Sequence, residues 1–271
     1  MRSDVHNHDS EDTSPAVKSA DRVLTILEYL ADNRGATFVS IVRDLGLPNS
    51  STHQLLRTIR QRGFVELDEV TREFKLGFHL WEVAQAYSSI QHLADIAQPF
   101  MDELTATTKE TVQLSRLDGL ENVYLAISES PHPMKLVSSI GNRLPAHTTG
   151  LGKVLLAELP DAVLDERLRD VTLERFTDNT ITDPDRLRTE LRRIRERGYG
   201  EDREEYVVGC RCIAMPIHDP SGAAIAAMSV SVPTPRFNQQ VARQIRASLP
   251  ETIRELEAKL GAQRQAEAEP R

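Results

Sequence analysis

Residues 50–63, SSTHQLLRTIRQRG, decide the interpretation of this chain, because as a helix they present two different faces. Helical spacing predicts a buried stripe, made of Thr52, Leu55, Leu56 and Ile59. The opposite face carries hydroxyl, imidazole, amide and guanidinium groups, which belong to Ser51, His53, Gln54, Arg57, Thr58, Arg60 and Gln61. No acidic residue occurs between Asp44 and Glu66. Such a face can contact the phosphates and base edges of DNA. A solvent-exposed basic face is also common, so the helix alone leaves both interpretations open.

The elements before this helix favour DNA binding. Residues 38–45, FVSIVRDL, predict a short helix that Thr37 can cap. The turn Gly46-Leu47-Pro48-Asn49 leads into the next helix, which Asn49 or Ser50 can cap. Two short helices with a glycine-containing turn between them are typical of a helix-turn-helix.

A β-hairpin is predicted after the helix, because residues 64–67 and 73–76 alternate apolar and polar side chains on either side of a polar turn. Residues 17–31 predict a further amphipathic helix before these elements. Three helices and a hairpin in this order predict a winged helix. Arg72 and Lys75 of the wing would lie near the phosphate backbone, although each alone is more often an ordinary surface charge. Residues 78–91 then predict an amphipathic linker helix with the chain's only tryptophan. Its aromatic stripe can pack on another subunit or inside the chain's own core.

The composition is that of a globular protein with a net charge of −8. The helix-turn-helix segment is nonetheless neutral, because residues 16–91 hold nine Lys or Arg and nine Asp or Glu. We therefore expect specific contacts to matter more than general attraction to phosphate. Residues 1–15 lack the apolar core of a secretion signal and are expected to be disordered. No apolar run is long enough to span a bilayer, so we expect a cytoplasmic protein without a membrane partner.

From residue 92 the pattern changes to an α+β domain. Strands joined by tight turns imply a mostly antiparallel sheet, and they are expected at 111–118, 122–129, 134–140, 199–207, 211–218 and 223–232. Helices are expected at 94–108, 161–170, 185–197 and 237–261, and residues 145–159 change from loop to helix. We expect Cys210 and Cys212, two apart on a predicted strand, to face opposite sides of it and to form no disulfide.

Three motifs, in this order, resemble the IclR family of bacterial transcriptional regulators. LGLPNSSTHQLLRTIRQRGFVELDEVTREFKLG (45–77) resembles its winged helix-turn-helix. LPAHTTGLGKVLLAELP (144–160) resembles the loop and helix at its ligand pocket, and GYGEDREEYVVGCRCIAMPIHDPSGAAIAAMSVSVP (198–233) resembles its ligand-domain core. The resemblance covers about residues 17–260. The implied domains are a disordered tail (1–15), a winged helix-turn-helix (16–77), a linker helix (78–91), a GAF-like antiparallel-sheet effector domain (92–262) and a flexible tail (263–271).

The resemblance implies that a small metabolite, often a carboxylate, binds in the second domain. It assigns the contacts to Gly150, Leu151, Asp202, Cys212, Ser229 and Ser231. The residues themselves agree in part, because backbone N–H groups at a helix start suit an anion and Ser229 and Ser231 share one strand face. Plainer interpretations stay open: satisfied sheet hydroxyls for the serines, a small buried side chain for Cys212, and a solvated acid for Asp202.

We therefore predict a ligand-responsive, sequence-specific transcriptional regulator, with repression favoured over activation. The predicted DNA contacts are Ser50, Ser51, Thr52, His53, Gln54, Arg57, Thr58, Arg60, Arg72 and Lys75. The expected partners are double-stranded operator DNA, a small-molecule effector, and further copies of the chain in a homodimer or a dimer of dimers. No cofactor or metal is expected.

Two other functions stay open at this point. An enzyme acting on a small carbonyl or acid substrate would use Cys212 or His147, but the base and orienting group that a nucleophile needs are not apparent. A winged helix that binds protein instead of DNA is disfavoured by the acid-free helix face. The GLGKV segment is not a P-loop, since His147 stands where the first glycine is required and Val154 follows Lys153.

Overall fold

The computed structural model describes residues 17–85 and 88–268, which divide into two compact units at residues 88 and 89. The predicted disorder of residues 1–15 lies outside the described residues. Within the described ranges, none of the helices combines the length and the apolar content that crossing a bilayer requires.

The first unit is a winged helix-turn-helix, as predicted. Its elements are α1 (Lys18–Asn33), β1 (Ala36–Thr37), α2 (Phe38–Leu45), α3 (Asn49–Gln61), β2 (Val65–Leu67) and β3 (Glu73–Leu76). The strands form an antiparallel sheet in the order β1-β3-β2. The short strand β1 was not predicted, and it extends the hairpin into a three-stranded wing.

A small apolar core fixes how α3 is presented. Ile26, Leu30, Ile41 and Leu56 are buried together, and Ile59 of α3 joins them. Thr37 caps α2 as predicted, because its side chain accepts the Ser40 N–H at 3.3 Å.

The predicted cap of α3 is wrong. Pro48 holds the N-cap position in an extended conformation, and its carbonyl accepts the Thr52 N–H at 3.0 Å. Asn49 and Ser50 therefore lie inside the first turn and cap nothing.

The predicted linker helix comprises α4 (Phe78–Gln85) and the start of α5 (Ser88–Thr108), while residues 86–87 lie outside the described residues. The Phe78 and Trp81 rings stack with their centroids 5.1 Å apart. The two residues are 62% and 57% exposed. Packing in the chain's own core therefore does not account for this aromatic pair.

The second unit is built on a six-stranded antiparallel sheet with the order β6-β5-β4-β9-β8-β7. The strands are β4 (Thr111–Asp118), β5 (Glu121–Ser128), β6 (Arg143–Pro145), β7 (Gly200–Arg203), β8 (Cys210–His218) and β9 (Ala224–Pro233). One face packs against α5 and α9 (Gln239–Ala268). The other packs against α6 (Gly150–Ala157), α7 (Asp161–Arg167) and α8 (Pro184–Arg197). The α+β class and the antiparallel sheet are as predicted.

Two predicted strands differ from the structure. Residues 134–140 form an irregular segment instead of a strand, and β6 begins only at Arg143. This segment turns over the sheet, where Gln113 of β4 donates a hydrogen bond to Ser138 at 2.7 Å. The predicted strand at 199–207 ends at Arg203, because Glu204 adopts a left-handed conformation with φ 63°. Both departures provide walls for the cavity described below.

Two glycines allow α6 to approach the sheet and the preceding loop closely. A Cβ atom at Gly152 would lie 2.3 Å from the backbone of Ala146, and one at Gly150 would lie 2.7 Å from the Cys212 Sγ. Neither distance is sterically possible for a real side chain, and Ala146 is fully buried. The Gly-Leu-Gly sequence is therefore a packing requirement at the start of α6.

We predict that Gly152→Ala lowers the free energy of unfolding by about 3 kcal/mol, measured by urea denaturation of the full chain. The control is Gly261→Ala in α9, where the new Cβ would meet only Pro220 Cγ at 3.6 Å. It should leave stability unchanged or raise it by up to about 1 kcal/mol, because alanine is the better helix former. Equal stabilities for the two variants would contradict the packing argument.

Candidate nucleic-acid interface and ligand cavity

The exposed face of α3 carries three polar side chains that are available for contact. The side chains of His53, Gln54 and Arg57 are exposed and make no hydrogen bond or ion pair within the part of the chain that is described. Only a ring contact between His53 and Phe38, 6.1 Å between centroids, restrains one of them. These donors and acceptors suit base edges in a major groove.

Thr52 does not belong to this face, although it was among the predicted DNA contacts. It is fully buried, and its hydroxyl donates to the Pro48 carbonyl at 2.9 Å. The helical period places it with Leu56 and Ile59 on the core side. The Ser51 and Thr58 hydroxyls also bond backbone carbonyls of their own helix, but both residues remain accessible to some extent.

The predicted cations of the wing are already paired with acids of the wing turn. Glu69 accepts from Arg72 at 2.6 Å and from Arg60 of α3 at 3.1 Å. Asp68 accepts from Lys75 at 3.0 Å. The pKa of Asp68 is lowered to about 2, mainly by the Thr71 N–H and then by Lys75. DNA phosphates would therefore compete with carboxylates for these three cations, whereas Arg57 has no such competitor among the described residues.

The second unit encloses a cavity of about 190 Å³ between the sheet, the start of α6 and the irregular segment. It brings together five of the six predicted effector residues, which are Leu151, Asp202, Cys212, Ser229 and Ser231. Gly150 is not among the lining residues, and its role is to let the Cys212 thiol approach α6. The sequence analysis expected the backbone N–H groups at the start of α6 to be available to an anion. One of them is already bonded, since the Gly152 N–H donates to Thr149 Oγ1 at 2.9 Å.

The cavity is also lined by seven polar residues that the sequence analysis did not assign to the effector, namely Gln113, Tyr124, Ser138, Asn142, Thr149, Tyr206 and Cys210. Gln113 is central among them. Its Oε1 accepts the Ser231 hydroxyl at 2.8 Å, and its Nε2 donates to Ser138. The signal available in the sequence was a glutamine between two apolar residues, Val112 and Leu114, of a predicted strand.

The expectation that the two cysteines face opposite sides was wrong. Side chains two apart on a strand point the same way, and Cys210 and Cys212 both line the cavity as free thiols. Correct use of the strand period would have found Cys210.

Asp202 is the acidic residue of the cavity wall and is almost completely buried. One carboxylate oxygen accepts the Glu205 N–H at 2.7 Å. Desolvation nevertheless raises the pKa of Asp202 to about 7. Burial also raises the pKa of Cys210 to about 12, and those of Cys212 and Tyr124 are raised for the same reason. The wall is therefore neutral or singly negative near neutral pH.

A buried ion pair lies behind this wall. The Lys153 ammonium of α6 is 1% exposed and donates to Glu205 Oε1 at 2.5 Å. The pair connects α6 to the loop that follows β7 and so holds Asp202 in place. Lys153 itself is not a lining residue.

The structure does not assemble a nucleophile and base for the enzymatic alternative. His147 is buried and bonds the Glu174 carbonyl at 3.0 Å through Nε2, away from the cavity lining. Burial lowers its pKa. A Cys212 thiol with a raised pKa is a poor nucleophile, so the geometry favours binding over reaction.

We predict that Asp202 makes stability depend on pH. The folded protein keeps this proton up to about pH 7, while the unfolded chain releases it near pH 3.9. Between these values the folded state binds more protons, so its stability falls as pH rises. Relative to Asp202→Asn, the wild type should lose on the order of 4 kcal/mol between about pH 4 and pH 8, measured by urea unfolding.

Glu204 provides a control for the direction in which stability changes with pH. Its pKa is lowered by the Thr234 hydroxyl and the Gly209 N–H. Stability relative to Glu204→Gln should change in the opposite direction, increasing as pH rises through the acid range. A wild type that tracks Asp202→Asn at every pH would show that Asp202 is ionised in the folded state.

Comparison with known proteins gives a consistent result for both units. The model described as "IclR helix-turn-helix domain" matches residues 19–69, and that described as "Bacterial transcriptional regulator IclR C-terminal" matches residues 85–258. The regulator BhcR of Paracoccus denitrificans is 36% identical over 90% of this chain and 87% of its own length. The regulator KdgR of Escherichia coli is 33% identical over 94% of this chain and 97% of its own.

Solved structures are similar over nearly the whole chain. The IclR of Thermotoga maritima is 29% identical, with a TM-score of 0.72 over 90% of this chain and 99% of its own. An IclR homologue of Microbacterium hydrocarbonoxydans, complexed with 4-hydroxybenzoate, is 28% identical, with a TM-score of 0.76 over 89% of this chain and 99% of its own.

Proposed function

The chain belongs to the IclR family of bacterial transcriptional regulators, and from this premise we propose which residues contact DNA and which kind of molecule fills the cavity. The chain is a ligand-responsive, DNA-binding regulator. The observation that carries the proposal is the presence, in one chain, of an acid-free helix face with exposed polar side chains and of a cavity with a buried carboxyl group in a separate unit.

The base-reading residues are His53, Gln54 and Arg57. They project from the exposed face of α3 and have no competing ion pair among the described residues. Ser50, Ser51 and Thr58 flank them and can contact phosphate through hydroxyl or backbone groups. Arg60, Arg72 and Lys75 contact phosphate only when their ion pairs with Glu69 or Asp68 are broken.

The effector is a small carboxylic acid. A cavity of about 190 Å³ lined by hydroxyl, amide and thiol groups suits a molecule of few atoms. A structurally similar relative was solved with 4-hydroxybenzoate, and the double mutant of another, the inducer-binding domain of PobR from Acinetobacter, with 3-hydroxybenzoic acid. The effector acts by binding the DNA-competent and DNA-incompetent arrangements with different affinity.

The protein works as a repressor in the form of a homodimer or a dimer of dimers. Relatives of this chain are named repressors, including IclR and AllR of Escherichia coli. The stacked and exposed Phe78 and Trp81 of α4 form an apolar surface that suits contact with another subunit. Two subunits would present two copies of α3 to operator half-sites.

We predict that Arg57→Ala weakens binding to the DNA upstream of the chain's own operon by about 1–3 kcal/mol, as expected for loss of a base contact. Binding is measured by fluorescence anisotropy at fixed salt. The control is Arg193→Ala, an exposed arginine of α8 in the other unit, which gives the same charge change. Equal losses for both variants, or no salt-sensitive binding by the wild type at any concentration, would contradict the assignment.

We predict that Glu69→Gln tightens binding to the same DNA and steepens its salt dependence, because Arg60 and Arg72 are then free to neutralise phosphates. The matched control is Glu73→Gln in the same hairpin, whose side chain makes no ion pair with either arginine. If both variants gain equally, the effect is one of net charge and the wing pairs do not restrain DNA contact.

A further inference from the structure

The cavity lacks a cation to receive an acid. None of the described residues that line it is Lys, Arg or His, and its acidic residue is Asp202. The proposed carboxylate effector would therefore enter an enclosed site that already holds a carboxyl group. Two carboxylates that share one largely buried site cannot both be ionised without a large electrostatic cost.

The nearest cation is not available to the effector. Lys153 is buried behind the wall, with its ammonium 2.5 Å from Glu205 Oε1. The second carboxylate oxygen of Glu205 is buried without a hydrogen-bond partner among the described residues. Lys153 is therefore already paired with Glu205, and taking the lysine away would leave an uncompensated buried charge.

The other titratable groups that face Asp202 do not supply a positive charge either. They are Glu204 and Glu205 from the following loop, Cys210 and Cys212 from β8, and Tyr124 from β5. The thiols and the phenol stay neutral near pH 7 because burial raises the pKa of each. Asp202 is the lining group that can accept a proton in this range, since burial raises its pKa to about 7.

We infer that the cavity takes an acidic effector only together with one proton, shared between the effector's carboxylate and Asp202. This rests on the proposed function, in that the effector is an acid. Below about pH 7 the proton is already on Asp202, and above it the proton comes from solvent as the effector binds. The site therefore selects monocarboxylic acids over dicarboxylates and phosphate esters, because each additional negative charge would remain unpaired in the cavity.

The test is isothermal titration calorimetry of the full chain with pyruvate and 4-hydroxybenzoate, at about pH 6, 7 and 8, in phosphate and in Tris. The enthalpy difference between the two buffers counts the protons taken up. We expect close to one proton per acid at pH 8 and few at pH 6. Affinity should weaken by about fivefold between pH 7 and pH 8, as one linked proton with a pKa of about 7 requires. Malonate and terephthalate should bind more weakly than the monocarboxylates at every pH.

Two variants distinguish the effect of the proton on acid binding from the effect of a change in cavity shape. Asp202→Asn keeps an acceptor for the Glu205 N–H and offers an amide donor that cannot ionise. It should bind the same acids with an affinity that does not change with pH and without proton uptake. Ser231→Ala alters the wall at a group that does not titrate, so the dependence on pH should remain even if affinity changes.

Acid binding without proton uptake by the wild type, or an unchanged pH dependence in Asp202→Asn, overturns the inference and leaves the proposed function standing. Stabilisation by neutral 4-hydroxybenzamide, with no acid binding even at pH 6, overturns both the inference and the assignment of an acid effector. Absence of binding by every probe at pH 6 also counts against the inference. Proton-linked acid binding by a chain that never retards DNA would instead overturn the regulator assignment alone.

Discussion

The second unit depends on one buried charge. A lysine ammonium that is 1% exposed needs an anionic acceptor, and Lys153 finds it in Glu205, 52 residues further along the chain. Removing one partner of such a pair costs about 3–5 kcal/mol, because the other is left buried and uncompensated. The constraint places the loop after β7 against α6. The same loop positions Asp202, whose carboxylate accepts the Glu205 N–H at 2.7 Å.

Patterns of short range were readable from the sequence, while partners of long range were not. The period of α3 gave its buried face, and alternation gave the wing and most strands of the sheet. Residues 134–140 alternate like a strand, yet they form a cavity wall because Gln113 holds Ser138 from across the fold. The role of Gln113 depends on serines more than a hundred residues away, which no local spacing reveals. The family motifs correctly predicted five of the residues that line the cavity. Cys210 was missed because residues two apart on a strand were expected, wrongly, to face opposite sides of it.

The ion pairs of the first unit could not be predicted from the sequence either, because their partners lie on different elements. The helix 50–63 contains no acid, and that absence supported DNA binding. In the folded unit the acids arrive from the wing turn, where Asp68 and Glu69 engage Lys75, Arg72 and Arg60. The side chains of His53, Gln54 and Arg57 remain exposed and without an ion pair among the described residues. For a neutral unit of this kind we expect affinity to come from fit to a base sequence more than from phosphate attraction.

Burial of the two cavity thiols limits their reactivity toward oxidants. Thiolates, not thiols, react with peroxide, alkylating agents and disulfides. Cys210 and Cys212 remain protonated because burial raises the pKa of both, and no disulfide joins them. They are therefore slow to oxidise while they form part of a binding surface. In a cavity of this kind the cysteines contribute polarisable contact area and little redox reactivity.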